Sequence, residues 1–269
     1  MQRQGYDHDR TSQGVRAVTR ALVVLDAFRT GSAALTNADL SERTGLARST
    51  VSRLTQTLMA SGYLWLDPAN GLYRLSGKVL ALGLAMRKDL DVLEVALPRM
   101  QELIRYGNLN VGLAVADRSD MIYVESLRNG SSGILRDVSC GTRIPVEWTS
   151  LGRAYLASLH ADDRARRFQE IALRHPGQWD VLREQLVAAC EQVQTQGYCQ
   201  ASWQAGLTSI AAPLQLRDRG DYVFNLSFAD VHVDRLRMSR DLVPRLLALV
   251  QSVRAALSEP TENMFHAVE

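Results

Sequence analysis

Residues 35–62 read LTNADLSERTGLARSTVSRLTQTLMASG, and their spacing decides the fold of the first quarter of the chain. Thr36 followed three positions later by Asp39 is a capping-box pattern, with Asp in place of the usual Glu or Gln. Leu35 and Leu40 stand where a hydrophobic staple would close over that cap. A short helix over 37–44 is expected, stopped by Gly45. The next stretch places Val51, Leu54 and Leu58 on one helical face, with Ser49, Ser52, Arg53 and Gln56 on the other, and Gly62 closes it. Two helices joined by a Gly-containing turn of three or four residues form a helix-turn-helix unit.

Working outward, Val15, Val18, Leu22, Leu25 and Phe28 recur at steps of three and four, one face of an amphipathic helix that Gly31 ends. On the other side, YLWL and LYRL are strand-like runs separated by DPANG, whose Pro68 and Asn70-Gly71 supply turn chemistry, so a hairpin is expected. Three helices and a hairpin make a winged helix-turn-helix over 14–76, behind a polar tail over 1–13. The third helix buries an apolar stripe and offers Arg48, Ser49, Thr50, Ser52, Arg53 and Gln56 outward, the side chains suited to base edges and phosphates in a major groove. Arg74 on the wing stands between a phosphate contact and an ordinary exposed arginine.

The charge distribution agrees with that reading. The 269 residues carry a formal net charge of +2, yet residues 1–78 hold ten Lys/Arg against six Asp/Glu, and the remainder is net negative. A basic module on a slightly acidic body points to nucleic acid. With 46% hydrophobic and 22% charged residues the composition is that of a globular chain, excluding collagen-like, disordered and disulfide-scaffold classes. No apolar run approaches the roughly 20 residues of a membrane span. The first residues lack the apolar core of a signal peptide. Cys140, Cys190 and Cys199 are odd in number and without CxxC spacing, so reduced thiols and a cytoplasmic location are expected.

Three ordered stretches then carry a resemblance. The segment from VTRALVVLDAF through GLARSTVSRL to YRLSGKVLALG resembles the N-terminal domain of the isocitrate lyase regulator (IclR) family of bacterial transcription regulators. IPVEWTSLGRAYLASL and GLTSIAAPL resemble two further family segments. The resemblance implies an α+β chain: a winged helix-turn-helix joined by a linker helix to a GAF-like effector-binding domain, working as a dimer or tetramer. Its implied partners are double-stranded operator DNA with a palindromic or pseudo-palindromic site and a small-molecule effector.

The linker is expected over 77–89. GKVLALGLAMRKDL has no clean polar face: Val79, Leu82 and Met86 form one stripe, with Leu80 and Leu84 beside it. A helix apolar nearly all round needs cover on more than one side. A symmetric partner helix supplies that economically and matches two half-sites; packing within one subunit is the alternative.

The second domain is expected over 90–258, followed by a tail over 259–269. A helix of about 90–106, interrupted or kinked near Pro98, precedes the strand pair NVGLAVA and MIYVESL. Helices follow at TSLGRAYLASL, Arg164–Ile171 and Leu182–Gln196, then strands LTSIAAPL and YVFNLSFA and a closing helix. The mixed order favours α+β over a doubly wound sheet.

An effector pocket draws on three places. Thr149 caps a helix whose first N–H groups, on Ser150, Leu151 and Gly152, suit an anion such as a carboxylate. Leu207 and Ser209 match pocket positions of the family. Strand alternation sets Asn225 and Ser227 on one face against Phe224, Leu226 and Phe228, to line a pocket or to face solvent. Family members often carry acidic residues before the GLTSIAAPL segment; GYCQASWQAG has none, and Trp203 there is either a pocket wall suited to a ring-bearing or partly apolar acid or a core residue. Arg143 and Arg153 are candidate partners for an effector anion, Arg153 with a structural alternative. Cys140 and Cys199 read as inert thiols.

An enzyme carrying a DNA-binding appendage and a dimeric scaffold without DNA binding are the rival classes. The sequence contains no GxSxG, HExxH, Walker or dinucleotide-binding motif. Histidines 8, 160, 175, 232 and 266 are scattered, so no metal ligands, cofactor or catalytic residues are expected.

Overall fold

A computed structural model describes residues 16–30, 34–129, 138–216 and 220–258, with the side chains of residues 29 and 30 excepted. The expected tails over 1–13 and 259–269, together with Val15 and Gly31, lie outside the described residues. The chain divides into two compact units, Met1–Asp89 and Leu90–Glu269.

In the first unit, α1 (Arg16–Asp26) runs into a 3-10 turn at Ala27–Thr30. It is followed by α2 (Asn37–Thr44), α3 (Arg48–Ala60), β1 (Leu64–Asp67), β2 (Leu72–Leu75) and α4 (Gly77–Lys88). The capping box is formed: Asp39 N donates to Thr36 Oγ1 at 3.1 Å and Thr36 N to Asp39 Oδ2 at 2.9 Å. Leu35 and Leu40 are both buried over it, and Gly45 ends α2 with φ of 69°, a left-handed conformation glycine adopts without penalty. The hairpin closes through Asp67, whose carbonyl accepts from Gly71 N at 2.8 Å and whose carboxylate accepts from Ala69 N and Asn70 Nδ2. Leu35 bridges Tyr73, adding a third short strand segment to the wing.

The core gathers Val24, Phe28, Leu35, Leu40, Val51, Leu58 and Leu64. One expectation is corrected: Leu54 is only half-buried, and Thr55 takes the core place between Val51 and Leu58. Its hydroxyl is satisfied locally, donating to Ser52 O at 3.0 Å, so a polar residue sits there without an unpaired group.

The second unit is a six-stranded antiparallel sheet of order β5-β4-β3-β8-β7-β6. Its strands are β3 (Asn110–Asp117), β4 (Asp120–Arg128), β5 (Arg143–Pro145), β6 (Cys199–Gln204), β7 (Leu207–Leu216) and β8 (Gly220–Ala229). α5 (Asp91–Leu103) and α10 (Val243–Ser258) pack with one face over Leu113, Phe224, Leu226 and Phe228. α6 (Ser150–Ser158), α7 (Ala161–Arg174) and α8 (Trp179–Gln196) join the other over Ala114, Tyr123, Ala211 and Val223. Because both faces are covered, β8 is buried almost throughout. A short helical turn, α9 (Arg235–Arg237), precedes a π-turn at Met238–Leu242 and α10.

Two local expectations differ. α5 stays α-helical through Pro98 and tightens only at Ile104–Tyr106. GYCQASWQAG contains the edge strand β6, paired with β7 from Cys199↔Ala211 and interrupted by a register shift before Gln204↔Leu207. The shift breaks the strict alternation by which a strand is recognised in sequence.

Candidate functional site

The first candidate surface is the outer face of α3. Arg48, Ser49, Arg53 and Gln56 are exposed, and Thr50 and Ser52 are half-buried. The N-cap position is Ala47, which supplies no side-chain hydrogen bond, so the first N–H groups of α3 carry the positive end of the helix dipole without a side-chain cap from that residue. Beside α3, Arg16 and Arg20 of α1 line a groove with Arg53, Gln56 and Thr57. These α1 arginines were missed because the period chose Val18 and Leu22 as part of the buried face, whereas both are more than half exposed and α1 buries Val24 instead. Arg74 is half-buried in the wing, with its guanidinium 5.8 Å from the Trp65 ring centroid.

α4 differs from the three helices before it, each of which buries at least one residue. None of its residues is buried; Leu80, Leu82, Leu84 and Met86 are 65%, 55%, 54% and 50% exposed, and Val79 is half-covered. Four large apolar side chains on one twelve-residue helix are left in water within a single copy of the first unit.

The second candidate site is a buried polar pocket at the start of α6. Thr149 caps the helix, accepting from Gly152 N at 3.2 Å and donating to Pro145 O at 2.9 Å. From the two strands beneath, Ser209 and Ser227 face Ser150. Ser150 Oγ and Ser209 Oγ are 2.7 Å apart, and Ser227 Oγ donates to Ser209 Oγ at 3.1 Å. Asn225 Nδ2 donates to Ser227 Oγ at 2.9 Å and to Ser209 Oγ at 3.3 Å. Asn225 Oδ1, fully buried, has no hydrogen-bond partner among the described residues. An unpaired buried acceptor costs roughly 1–3 kcal/mol, so a donor arriving from a ligand would recover that energy.

Thr149, Ser150, Leu151, Trp203, Leu207, Ser209, Asn225 and Ser227 all line this pocket. Gly152 does not: its N–H is spent on Thr149, and a Cβ at its position would lie 2.0 Å from Val146 O. Gly152 therefore lets α6 lie against the Val146 backbone rather than offering an N–H to a ligand. Of the two faces open to Asn225 and Ser227, the pocket face is the one they occupy.

Asn110, Tyr123, Val138, Ile144 and Gln204 complete the wall; no spacing rule connects them to the others, which are brought together by the sheet. Burial raises the Tyr123 phenol above its ordinary value, with the Asn225 side chain pulling the other way, so the ring stays neutral. Among the described residues no cation lines the pocket.

Arg143 is removed from the effector-binding candidates, since its guanidinium is taken by Asp117 at 2.8 Å and Asp120 at 2.9 Å. Cys199 donates to Ser150 O at 3.4 Å, and burial pushes its thiol up to about 12, which keeps it un-ionised. The open volume of the pocket is about 30 Å³. That is about one water's share of the liquid, whereas a benzene-sized guest needs about 150 Å³. Filling the pocket with an organic acid therefore means moving its walls.

Among the described residues no group of His, Cys, Asp and Glu is placed to hold a metal ion, and no helix is long and apolar enough to cross a membrane.

Comparison with known proteins gives a consistent picture. The model of the IclR helix-turn-helix domain matches residues 17–68, and that of the bacterial transcriptional regulator IclR C-terminal domain matches 84–259. The Pca regulon regulatory protein of Pseudomonas putida is 30% identical over 246 residues, covering 87% of this chain and 80% of its own. An IclR family transcriptional regulator from Brucella abortus is similar in structure, with a TM-score of 0.82, 33% identity and coverage of 95% and 96% of the two chains. An IclR homologue from Microbacterium hydrocarbonoxydans, solved in complex with 4-hydroxybenzoate, aligns with a TM-score of 0.73 at 21% identity, covering 90% of this chain and 98% of that one. At that identity the likeness shows the fold.

Proposed function

The chain belongs to the IclR family of bacterial transcription regulators, and from that premise we propose that it is a one-component switch whose operator affinity is set by a small organic acid bound in the polar pocket at the start of α6. The family is one of regulators, not of enzymes. The observation that carries the effector reading is the unpartnered Asn225 Oδ1 inside a buried cluster of three serine hydroxyls. A hydroxyl or protonated acid would satisfy it, while a carboxylate would lie on the open N–H groups of Ser150 and Leu151. Trp203 and Leu207 in the wall favour a ring-bearing or partly apolar acid. The 4-hydroxybenzoate held by the Microbacterium homologue is of that kind.

In this reading each α3 enters a major groove, with Arg48, Ser49, Thr50, Ser52, Arg53 and Gln56 toward the bases and phosphates and Arg74 toward the flanking backbone. Two copies join through Val79, Leu80, Leu82, Leu84 and Met86 of α4. The occupant of the pocket must open it, so binding energy is tied to a change of shape, typically about 1–3 kcal/mol of coupling. The controlled genes are expected to be a catabolic operon beside the protein's own gene.

A mobility-shift assay with the DNA flanking that gene, with and without candidate acids, tests the whole scheme. Ser209→Leu and Ser227→Leu are expected to abolish the response to the acid while leaving DNA binding intact; a preserved response removes the pocket. Arg48→Ala and Arg53→Ala are expected to cost about 1–3 kcal/mol each where they read a base, and unaltered operator affinity in both removes the assigned face.

A further inference from the structure

Sharing Trp203 with the serine pocket, a wider cleft lies against α6, α8 and the edge strand β6, with about 670 Å³ of open space. Its walls include the indoles of Trp148 and Trp203, the amides of Gln185, Gln192 and Gln200, and Arg153, which is the one ionisable group among the lining residues.

Arg153 is held firmly without being neutralised. Its Nε donates to the Glu147 main-chain carbonyl at 3.2 Å and its Nη2 to Gln185 Oε1 at 2.7 Å. Both acceptors are uncharged. Several arginines of this unit are matched with acids, among them Arg143 with Asp117 and Asp120, Arg174 with Glu147, Arg167 with Glu170 and Arg245 with Asp241. Arg99 and Arg164 instead donate to main-chain carbonyls of their own surroundings and do not line the cleft. Arg153 has no carboxylate at ion-pair distance among the described residues, and burial pulls its guanidinium below the ordinary arginine value. A half-buried guanidinium held by two neutral acceptors keeps its full charge, and its hydrogen bonds offset only part of its desolvation cost. It is a good receptor for a planar anion.

We propose that this cleft is a second small-anion site, separate from the serine pocket, in which Arg153 takes the carboxylate of a small organic acid whose apolar body lies against Trp148 and Trp203. The three glutamines give hydrogen-bonding capacity without repelling the anion. Gln185 matters most, since it fixes the guanidinium where a glutamate would have closed the site on itself. Trp203 lines both cavities, so occupancy of the cleft bears on the same indole that walls the pocket.

The test uses full-length protein carrying Ser209→Leu, in which the serine pocket is filled, titrated with benzoate by calorimetry and with benzyl alcohol as the uncharged control. Saturable benzoate binding is expected. Adding Arg153→Gln should weaken it about tenfold or more, with benzyl alcohol unaffected. Gln185→Glu supplies the second arm. It keeps the hydrogen bond to Arg153, adds an ion pair and preserves the melting temperature, yet should weaken benzoate to a similar extent. Benzoate binding unchanged in both variants, or absent from the Ser209→Leu protein, overturns the proposal. Failure of the pocket reading shows separately, as an acid response in the mobility-shift assay that survives Ser209→Leu combined with Arg153→Gln.

Discussion

Two glycines show how closely the candidate pocket is built. At Gly112 on β3, a Cβ would lie 2.3 Å from both Asn225 Oδ1 and Tyr123 Cε1, so the missing side chain is the space in which those two groups cross. Gly112→Ala must push one aside. We expect a loss of about 1–3 kcal/mol from overpacking, read by urea denaturation, together with loss of the effector response because Asn225 and Tyr123 both line the pocket. At Gly152 the obstruction is the Val146 main chain itself, which cannot swing away as a side chain does. Gly152→Ala should cost more than Gly112→Ala, and an equal or smaller loss would show that α6 can lift from Val146. Neither role was legible in the sequence, where Gly112 reads only as a weak strand residue and Gly152 as a helix-start N–H. The same holds for Thr55, whose core place depends on a local hydroxyl bond to Ser52. Composition and period classify a residue by polarity, whereas these positions are decided by what lies across a gap of two or three ångströms.

At the scale of elements the sequence was a much better guide, because caps and turns are written in adjacent residues. The capping box of α2 and the left-handed stop at Gly45 were readable and are present. Thr36→Ala should therefore cost about 1 kcal/mol, measured by thermal or urea unfolding of the full chain. The cap also has a pH signature. The Asp39 carboxyl lies below its ordinary value, chiefly because the Thr36 N–H donates to it, and further because the Thr36 hydroxyl does. A carboxyl depressed in the folded state contributes fully above its unfolded value and loses that contribution as pH falls through the folded value. Wild type and Asp39→Asn should differ in stability at neutral pH and converge below about pH 4; parallel curves down to pH 2 would remove the carboxylate from the cap. Where an element was missed, the cause is equally local. β6 carries a register shift within six residues, which destroys the period-two signal, and α5 continues through Pro98 without the expected interruption.

For the molecule as a whole, the two-unit plan followed from the charge asymmetry and from the change of pattern after the linker. The convergence of Ser150, Ser209 and Asn225 across 59 and 16 residues of chain, and the capture of Arg143 by two aspartates, required the sheet to be seen. The linker helix α4 poses the remaining question at this scale. At about 25 cal/mol per Å² of apolar surface removed from water, Leu80, Leu82, Leu84 and Met86 represent several kcal/mol that one copy leaves ungained. A second copy of the same helix is the partner whose supply is guaranteed, and two-fold pairing would set two α3 helices against two half-sites. Leu80→Glu with Leu84→Glu places four carboxylates in that seam per pair. Sedimentation should then report a 29.9 kDa species in place of one twice that mass. Losing the tether removes the effective-concentration advantage, which for linked binding modules is about 10²–10⁴. Affinity for a full operator should fall by that order, and affinity for a single half-site should not change. Because both substituted side chains already stand in water in the isolated unit, thermal stability of the winged domain should be unaltered. A dimer that survives both substitutions would move the interface off α4. A monomer that keeps full operator affinity would instead show that one winged domain suffices for the site.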